Sequence, residues 1–533
     1  MSYIGDAPVI QNIQYFAEPS AAKNIQGVFG YNTLKMRYIA ALTFALNYKV
    51  HGLDVTGYHI VNLAIHLLTS MLVYGLASFI FKTPAYPLLD GRGKQAALFI
   101  PLFSGLLFVS HPIQTEAVTY ISQRFTSLVT MFYLLSVVTY IRSRTLETRL
   151  WKSRLLYIAA LACSVFAMKT KENAFTLPII IALCEFTFFS GKISRRFIFL
   201  APFLLTLPII PLSLIDTSDA SIIDAVDRAM RANTDMSRLA YLYTQFRVMI
   251  TYIRLLIFPV NQNLDYDYPI YNSFFQPEVF LSFLVLLTLA IVGTYIFYRA
   301  KHSDADKKFI IIAFGIFWFF ITMSVESSFI PTLDVIFEHR LYLPSVGFFI
   351  AAAFAIWFAW EKWTSGARYG KKVLACAMAT IVFILSVATH SRNDIWTESV
   401  TLWEATVKGS PNKSRPHNNL GDAYERIGLT ERAISEFSTA LKISPNDAGA
   451  HYNLGFVYEK YGYIDMAINE YKAALSIDPN LANVHYSLGN VYTQLGNIDE
   501  AINEFQKVLS INPAHGMANK TIDLLMRNRR RSS

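Results

Sequence analysis

The stretch "EHRLYLPSVGFFIAAAFAIWFAW", residues 338–360, joins three ionisable side chains to a long apolar run without a break. Residues 343–360 carry no charged side chain, and a helix that crosses a bilayer needs about 20 apolar residues. The run therefore predicts a membrane-spanning helix. Glu338, His339 and Arg340 directly before it need an explanation, because ionisable groups are costly to bury in a membrane.

The composition of the whole chain predicts the same class of protein. Its 533 residues are 53% hydrophobic and 14% aromatic, with a mean hydropathy of +0.34, which is too apolar for a soluble protein but long enough for more than one domain. The net charge of +9 does not require a nucleic acid, since membrane proteins collect Lys and Arg in cytoplasmic loops. The cysteines lie in apolar runs without metal-like spacing and predict neither disulfides nor a zinc site.

Ten apolar stretches are candidate crossings, and most are long enough for a hydrocarbon core of about 30 Å. The alternate loops between them differ in charge, with 19 Lys or Arg in one set and 6 in the other. The positive-inside rule makes the first set cytoplasmic, so the N-terminal segment and everything after residue 390 face outward. The stretches are 57–81, 96–110, 117–141, 155–168, 174–190, 197–215, 277–298, 309–325, 343–360 and 373–389.

Two further apolar pieces are too short or too poorly placed to cross. Residues 1–56 are predicted to form an external loop with short interfacial helices, one of them at 36–48. The piece 244–260 would break the alternation of the loops, so it is predicted to lie in the interface or to re-enter from outside. A first segment outside the cytosol without a charged n-region or an apolar h-region lacks the usual means of export. We therefore expect a membrane helix that precedes this sequence.

The C-terminal part, residues 390–533, repeats with a period of 34 residues. Small, aromatic and proline positions recur in three successive copies, which is the pattern of tetratricopeptide repeats, two helices per repeat stacked into a solenoid. We place repeats near 414–447, 448–481 and 482–515, with a half repeat near 398–413. The recurring residues are Leu420, Leu454 and Leu488; Gly421, Gly455 and Gly489; Tyr424, Tyr458 and Tyr492; Ala433, Ala467 and Ala501; Phe437, Tyr471 and Phe505; Pro445, Pro479 and Pro513.

The groove of such a solenoid is a candidate binding surface. Asn419, Asn453 and Ser487 occupy equivalent positions on the first helix of each repeat. An Asn side chain offers one acceptor and two donors, which suits an extended peptide backbone of variable sequence. The alternative is that these are polar residues on a solvated helix. A nucleic acid is disfavoured because the repeats are rich in Asp, Glu and Asn.

In the membrane part, the ionisable residues of the outward loops form four clusters. Glu116, Tyr120 and Arg124 follow at four-residue steps, so we expect them on one helical face, with Arg124 about two turns into its span and in need of a partner or an anionic ligand. Each cluster alone could be a set of interfacial ion pairs. Together they predict an outward polar cavity that holds phosphate and accepts a proton. The clusters are His111, Glu116 and Arg124; Lys169, Lys171 and Glu172; Asp265 and Asp267; and Glu338, His339 and Arg340.

Five motifs followed by the tandem repeats resemble one known family. They are "GDAPVIQNI" (5–13), "HPIQTEAVTYISQR" (111–124), "KTKENAFTLPIIIALCEF" (169–186), "FPVNQNLDYDYP" (258–269) and "FEHRLYLPSVGF" (337–348). The combination resembles the transmembrane and tetratricopeptide-repeat O-mannosyltransferases and their bacterial relatives. The resemblance implies an all-α fold: a polytopic helix bundle of the GT-C glycosyltransferase type, here residues 57–389, followed by a tetratricopeptide solenoid.

The resemblance also implies an activity. The family is taken to move a sugar from a polyprenyl-phosphate carrier to a hydroxyl of an exported protein, a pilin being one such acceptor in a bacterium. In a bacterium, the site and the repeats would face the periplasm from the inner membrane. The chain carries no Rossmann glycine loop, which favours a lipid-linked donor over a nucleotide sugar.

Residue roles are carried over where the motifs match. Asp6, in Gly5-Asp6 with Ile10 at the family spacing, is the expected base, although the family's neighbouring acid is missing; Glu116 is a second catalytic candidate. The expected donor and lipid-phosphate residues are Arg124, Lys171, Glu338, His339 and Arg340, with Glu172 as the ion-pair partner of Lys171 and with Glu338 and His339 orienting Arg340 or binding sugar hydroxyls.

No cofactor is expected. A divalent cation at Asp265 and Asp267 is conceivable for two carboxylates in one loop but is disfavoured, because the resemblance implies transfer without a metal. Two other functions stay open: a transferase or ligase that modifies a polysaccharide, and a non-catalytic membrane scaffold that displays the repeats.

Overall fold

The computed structural model describes residues 37–83, 91–146, 150–214, 236–328, 331–332, 334–363 and 370–532. Asp6 and the rest of residues 1–36 lie outside them. In the described residues the regular structure is helical and contains no strand, as predicted. The chain divides into two compact units, one of residues 1–264 and 268–396, the other of residues 265–267 and 397–533.

The first unit begins, among the described residues, with the 14-residue helix Tyr38–His51. The helices after it contain most of the apolar stretches predicted from the sequence. Short 3-10 turns at Pro112–Gln114, Ile121–Gln123, Glu172–Thr176, Lys307–Phe309 and Glu338–Leu341 separate several of them. In chain order the helices are α1 (Tyr38–His51), α2 (Val55–Ile80), α3 (Gly91–Ser110), α4 (Thr115–Thr119), α5 (Arg124–Thr145), α6 (Leu150–Met168), α7 (Leu177–Phe188), α8 (Ile193–Leu204), α9 (Ile209–Leu214), α10 (Arg238–Ile257), α11 (Pro277–His302), α12 (Ile310–Met323), α13 (Pro344–Trp363) and α14 (Gly370–Ile395).

Seven stretches of the described chain are long and apolar enough to cross a membrane, by length and composition. An eighth crossing results if the pair Gln95–Ser110 and Pro112–Thr119, bent by 53°, counts as one span. If the bent pair is counted, eight of the ten predicted crossings overlap these candidate spans, and the other two, 174–190 and 309–325, do not. The seven are Val55–Ile80, Ile121–Thr145, Leu150–Met168, Ile193–Ser213, Pro277–His302, Pro344–Trp363 and Lys372–Ile395.

The two remaining predicted crossings contain helices that are too short. At 12 residues α7 and at 14 residues α12 rise about 18 and 21 Å. Each follows a 3-10 turn, Glu172–Thr176 before α7 and Lys307–Phe309 before α12. The first turn takes up residues 174–176 of its apolar stretch, and the second takes up only Phe309. Hydropathy alone does not distinguish such a turn from a continuing helix.

Helix α10 is amphipathic, as the prediction for residues 244–260 required, and it is not one of the spans. Its buried positions recur every three or four residues, so one face packs on the protein. Three side chains of that face hold the segment before residue 338. Tyr241 donates to the carbonyl of Glu326 at 2.9 Å, Gln245 to that of Val335 at 2.9 Å, and Tyr252 to that of Phe337 at 3.0 Å.

The expected common helical face of Glu116, Tyr120 and Arg124 is wrong. Helix α4 ends at Tyr120, whose backbone is extended, with φ −74° and ψ 107°. A 3-10 turn follows, and α5 begins at Arg124 itself, so this residue is not two turns into a helix. The amide of Asn62 donates to the carbonyls of Val118 at 3.1 Å and Ile121 at 3.5 Å. It thereby satisfies carbonyl groups that the helix break would leave unpaired.

The second unit consists of paired helices with the predicted period. A turn glycine with positive φ, Gly428, Gly462 or Gly496, joins the two helices of each repeat. The helices are α15 (Ser399–Gly409), α16 (Ser414–Arg426), α17 (Thr430–Ile443), α18 (Ala448–Lys460), α19 (Ile464–Ile477), α20 (Ala482–Gln494), α21 (Ile498–Ile511) and α22 (Gly516–Ser532).

The recurring glycines and aromatic residues of the repeats are in contact. A Cβ atom built on Gly455 would lie 2.8 Å from the ring of Tyr471, and Gly421 and Gly489 have the same relation to Phe437 and Phe505. No larger residue fits unless the ring moves. The small residue on the first helix and the ring on the second therefore specify each other.

A second recurring contact was not predicted. In each repeat, an imidazole on the first helix lies with Nδ1 2.5–2.6 Å from a Glu carboxylate on the second helix and with Nε2 3.0–3.1 Å from the carbonyl of the preceding proline. Each histidine thus ties its own helix pair to the end of the repeat before it. The sets are His417, Glu436 and Pro411; His451, Glu470 and Pro445; and His485, Glu504 and Pro479.

We expect Gly455→Ala to lower the free energy of unfolding by about 1–3 kcal/mol, because the added methyl group overlaps the ring of Tyr471. Thermal unfolding of the purified full chain measures the change. Gly516→Ala is the matched control, since nothing lies within 4 Å of its built Cβ atom. Equal unfolding temperatures for the two variants would contradict the packing argument.

Candidate functional site

Glu116 and His339 are in direct contact in the first unit, and both are buried. Glu116 belongs to α4 and His339 to the 3-10 turn Glu338–Leu341. Oε1 of Glu116 lies 2.6 Å from Nδ1 of His339, and Oε2 accepts the backbone N–H of the same residue at 3.0 Å. The side-chain contact contains one proton, carried by the ring or by the carboxyl group. It brings two of the predicted clusters together.

Glu338 contacts a different loop. Its Oε1 accepts the backbone N–H of Asn263 at 2.8 Å, and its Oε2 accepts Nε2 of Gln262 at 2.7 Å. Nη2 of Arg392 lies 3.9 Å from Oε2, which is an ion pair beyond hydrogen-bond distance. The side chain is completely buried. These contacts do not orient Arg340, and the expected donor-binding role of Glu338 stays a prediction.

Lys171 and Glu172 have different partners, so the expected ion pair between them is wrong. Nζ of Lys171 donates to Glu326 at 2.8 Å and to Thr126 at 3.1 Å. Nη2 of Arg37 donates to both oxygens of Glu172, at 2.9 and 3.1 Å. Burial alone would raise the pKa of Glu172, but the charges of Arg37 and Lys171 outweigh it and hold that pKa below its usual value. Adjacent residues of a 3-10 turn point in different directions, which the sequence does not reveal.

Arg340 is held by the segment that precedes it. Nη1 donates to the carbonyl of Val335 at 3.1 Å, and Nη2 donates to the carbonyl of Asp334 at 3.0 Å and to Thr332 at 3.1 Å. The guanidinium also lies over the ring of Phe337, 5.2 Å from its centre. These contacts hold the guanidinium in place, and none of their acceptors is a carboxylate.

The charges of several loops act on the imidazole of His339. Burial holds its pKa well below the usual value, and the positive charges of Lys171, Arg340 and Arg37 lower it further, while Glu326 acts in the opposite direction. The imidazole is therefore neutral near pH 7. We call the group that converges here the polar cluster; it consists of Arg37, Glu116, Lys171, Glu172, Glu326, Glu338, His339, Arg340 and Arg392.

Arg124 is completely buried and has a different environment. Nε donates to Asn62 at 2.6 Å, and Nη2 donates to Asn47 at 2.8 Å and to the carbonyl of Tyr58 at 3.1 Å. Its guanidinium lies 4.3 Å from the ring centre of Phe44. Amide and carbonyl oxygens of α1 and α2 thus supply the partner that we expected from an ion or ligand. These contacts fasten α1 and α2 to the start of α5.

Two residues of the predicted clusters have other contacts. Nδ1 of His111 accepts the N–H of Ile113 at 3.2 Å and so caps the 3-10 turn that follows. In the second unit, Asp265 accepts Nε and Nη2 of Arg415 at 2.6 Å each and lies 2.5 Å from Nζ of Lys413. Two cations therefore already occupy the carboxylate of Asp265.

The proposed peptide-binding positions of the repeats are half-buried. The amide of Asn453 donates to Oδ1 of Asn418 in the preceding repeat at 3.0 Å. Burial raises the pKa of Tyr471, and the nearby hydroxyl of Ser487 acts in the opposite direction. These contacts order part of the inner face, and the binding of a peptide by Asn419, Asn453 and Ser487 stays a prediction.

Three members of the polar cluster were not predicted, namely Arg37, Glu326 and Arg392. Each is a charged residue close to an apolar stretch, but none belongs to a recurring pattern or a dense motif. A count of isolated charges at the ends of apolar runs could have indicated them. Their partners are more than 50 positions away in the sequence. The sequence alone therefore does not show which residues pair.

Comparison with known proteins gives matches over both parts of the chain. A family model described as "TPR repeat" matches residues 430–462 and 462–496, and one described as "Tetratricopeptide repeat" matches 482–515. "Protein O-mannosyl-transferase F38B6.6" of Caenorhabditis elegans is 25% identical over 76% of this chain and 53% of its own length. "Protein O-mannosyl-transferase TMTC3" of Homo sapiens is 26% identical over 76% of this chain and 44% of its own.

The chain is similar in sequence to proteins named protein O-mannosyl-transferases. The resemblance read from the motifs and the assignment of the tetratricopeptide repeats are confirmed. Together with the apolar helices, the relatives indicate an integral membrane protein. The chain spans about half the length of these curated relatives. Among solved structures, the crystal structure of MamA is 28% identical, covers 24% of this chain and 76% of its own, and has a TM-score of 0.23.

We expect Asn62→Leu to lower the free energy of unfolding by about 2–4 kcal/mol, because it removes an acceptor of the buried Arg124 charge and the donor to the carbonyl of Val118. Ser70→Ala on the same helix is the control. Its hydroxyl donates one neutral hydrogen bond to the carbonyl of Gly105, worth about 1 kcal/mol. Thermal unfolding that gives both variants the same shift would contradict the structural role of Arg124.

Proposed function

We propose that this chain is a membrane glycosyltransferase that moves a sugar from a polyprenyl-phosphate carrier to a hydroxyl group of an exported protein. The carrying observation is the buried contact between Glu116 and His339 within a cluster of cations in an apolar unit. The names of the relatives support transfer of mannose to protein.

The Glu116–His339 pair supplies proton transfer. With the imidazole proton on Nδ1 and directed at Glu116, Nε2 carries a lone pair and accepts a proton. The acceptor hydroxyl loses its proton to the pair as its oxygen forms a bond to the anomeric carbon. The bond from that carbon to the phosphate oxygen breaks, and the phosphate leaves with the bonding electrons. Asp6, the base expected from the resemblance, lies outside the described residues, and its role stays part of this proposal.

The cations of the cluster act on the leaving group. Lys171 and Arg340 carry fixed positive charges close enough to His339 to affect its titration. Such charges stabilise negative charge on the departing phosphate more than on the intact donor, which lowers the barrier. The pairing of Lys171 with Glu326 keeps the cation in place before a donor binds. Arg124, enclosed by amides and carbonyls, acts in this proposal by fixing the start of α5.

The repeats bind the protein acceptor. Tetratricopeptide grooves suit extended or helical peptide segments, and the half-buried positions Asn419, Asn453 and Ser487 offer donors and acceptors for a peptide backbone. We further propose the orientation that the loop charges predict, with the polar cluster and the repeats away from the cytosol. In a bacterium this is the periplasmic side of the inner membrane, and an exported protein such as a pilin is a suitable acceptor.

We expect Glu116→Gln and His339→Gln each to reduce sugar transfer by about 100-fold or more, because general acid–base catalysis contributes factors of about 10²–10⁴. The measurement is the intact mass of exported proteins from cells that produce each variant, read as the fraction with a hexose-sized increment. Asp304→Asn is the control, since the Asp304 side chain is fully exposed. Normal glycosylation by both cluster variants, at wild-type protein levels, would rule out the proposed site.

We expect the triple variant Asn419→Ala, Asn453→Ala and Ser487→Ala to lower acceptor glycosylation at limiting acceptor by about 10-fold, with little change at saturating acceptor, because peptide contacts affect KM more than kcat. The double variant Ser435→Ala and Ser476→Ala, at exposed positions on second helices, controls for general effects on the repeats. A fall in kcat with unchanged KM would argue against acceptor binding at these residues.

A further inference from the structure

Arg392 lies in the last turn of α14 and is 8% exposed. Its Nη2 atom is 3.9 Å from Oε2 of Glu338, too far for a hydrogen bond. Its Nε atom is buried and has no hydrogen-bond partner. Both oxygens of Glu338 already accept hydrogen bonds, from Asn263 and Gln262. The carboxylate therefore attracts the guanidinium from a distance without occupying its donors.

The other described cations of the polar cluster have more hydrogen-bond partners. Lys171 donates to Glu326 at 2.8 Å, Arg37 donates to both oxygens of Glu172, and Arg340 donates to three oxygens of its own loop. In the described cluster, Arg392 is the cation with an orphaned buried nitrogen. A buried donor without an acceptor costs about 1–3 kcal/mol, and more on a charged group. An incoming anion would remove this cost.

Helix α14 also places Arg392 where a lipid headgroup arrives. Only 11% of the most apolar window of the span Lys372–Ile395 is buried inside the protein, and Phe383, Ile384 and Val387 are exposed. Most of the helix surface is thus available to lipid tails, whereas Arg392 near its end is turned inward. A lipid that moves along α14 would bring its headgroup to the level of this guanidinium.

The end of α14 is fixed in position. Thr389 donates to the carbonyl of Ser110 at 2.6 Å, and Thr119 donates to Oδ1 of Asn393 at 2.9 Å. Both contacts join the last turns of α14 to the segment that contains Glu116. The charge of Arg392 therefore lies at a defined place beside the catalytic candidate, which long flexible side chains at an interface do not otherwise achieve.

We propose that Arg392 binds the phosphate of the lipid-linked donor, as a donor-binding residue in addition to Lys171 and Arg340. This inference rests on the proposed function. A planar guanidinium matches two phosphate oxygens at once, and a neutral group at this position would not replace it. The same chemistry would accept a phospholipid headgroup or inorganic phosphate, so the test must separate these sources from a polyprenyl phosphate.

The test uses the purified full chain in lipid nanodiscs and measures binding of a polyprenyl monophosphate and of the uncharged polyprenol. We expect Arg392→Gln to weaken binding of the monophosphate by about 10–100-fold, which corresponds to the loss of about 1.5–3 kcal/mol in charge-assisted hydrogen bonds. Binding of the polyprenol is expected not to change. Arg254→Gln, which removes an equal charge from α10 at a residue whose guanidinium donates to the carbonyl of Val260, is expected to bind both ligands as the wild type does. Unchanged binding of the monophosphate by Arg392→Gln would overturn the proposal.

A second measurement uses the wild-type chain, so it does not depend on whether the variant folds. An arginine-selective reagent, phenylglyoxal, is applied with and without each ligand, and modification is located by peptide mass. The polyprenyl monophosphate is expected to slow modification of Arg392 and not of Arg254. Absence of protection, or equal protection by phosphatidylglycerol nanodiscs or inorganic phosphate alone, would refute donor binding at Arg392.

Failure of the proposed function gives a different result. A wild-type chain that binds the monophosphate through Arg392 but transfers no sugar retains this assignment and loses the transferase. A chain that transfers sugar while Arg392 stays unprotected retains the transferase and loses the assignment.

Discussion

The cost of burying charge is the constraint on which the first unit depends. Apolar helices can slide or rotate against one another with small losses, because their contacts are non-directional. A buried ionisable group has no such freedom, since leaving it without a partner costs several kcal/mol. The contact between Glu116 and His339 joins residues 223 positions apart, and that between Lys171 and Glu326 joins residues 155 apart. These contacts determine which loops lie together, and the position of each loop restricts where the helices joined to it can pack.

Three of the buried arginines, Arg124, Arg340 and Arg392, are accommodated in three ways, and the differences bear on function. Arg124 donates to side-chain amides and a carbonyl and stacks on an aromatic ring, so its charge is used for structure. Arg340 donates to its own loop, which leaves its field available to a neighbour. Arg392 retains an unused donor. The sequence gives all three the same charge, and only the satisfied or unsatisfied state of their donors separates a structural role from a binding role.

Whether a feature could be predicted from the sequence depends on how far apart along the chain the interacting residues lie. The repeats were predictable because each position recurs, and the histidine, glutamate and proline of the recurring contact also lie at 34-residue spacing. The contact between the loops of Glu116 and His339 was expected from the cost of burying charge, whereas Arg124, His111 and Asp265 of the predicted clusters lie in other environments. The break at Tyr120 was not predictable, since it depends on the amide of Asn62, 59 positions from Ile121. The shortness of α7 depends on the 3-10 turn before it, which takes up residues 174–176 of the apolar stretch. Asp6 lies outside the described residues.

In the proposed transferase, the charges around His339 would couple donor binding to proton transfer. The positive charges of Lys171, Arg340 and Arg37 hold the pKa of the imidazole down, in addition to the effect of burial. If a donor phosphate binds to these cations as proposed, it screens them, and the imidazole becomes a stronger base. By linkage, a proton taken up by the ring then favours the bound anion. A protein hydroxyl that reaches the site without a donor would meet a weaker base than one that arrives after the phosphate is in place. In the proposed transferase, proton transfer would then be favoured in the state in which a leaving group is present.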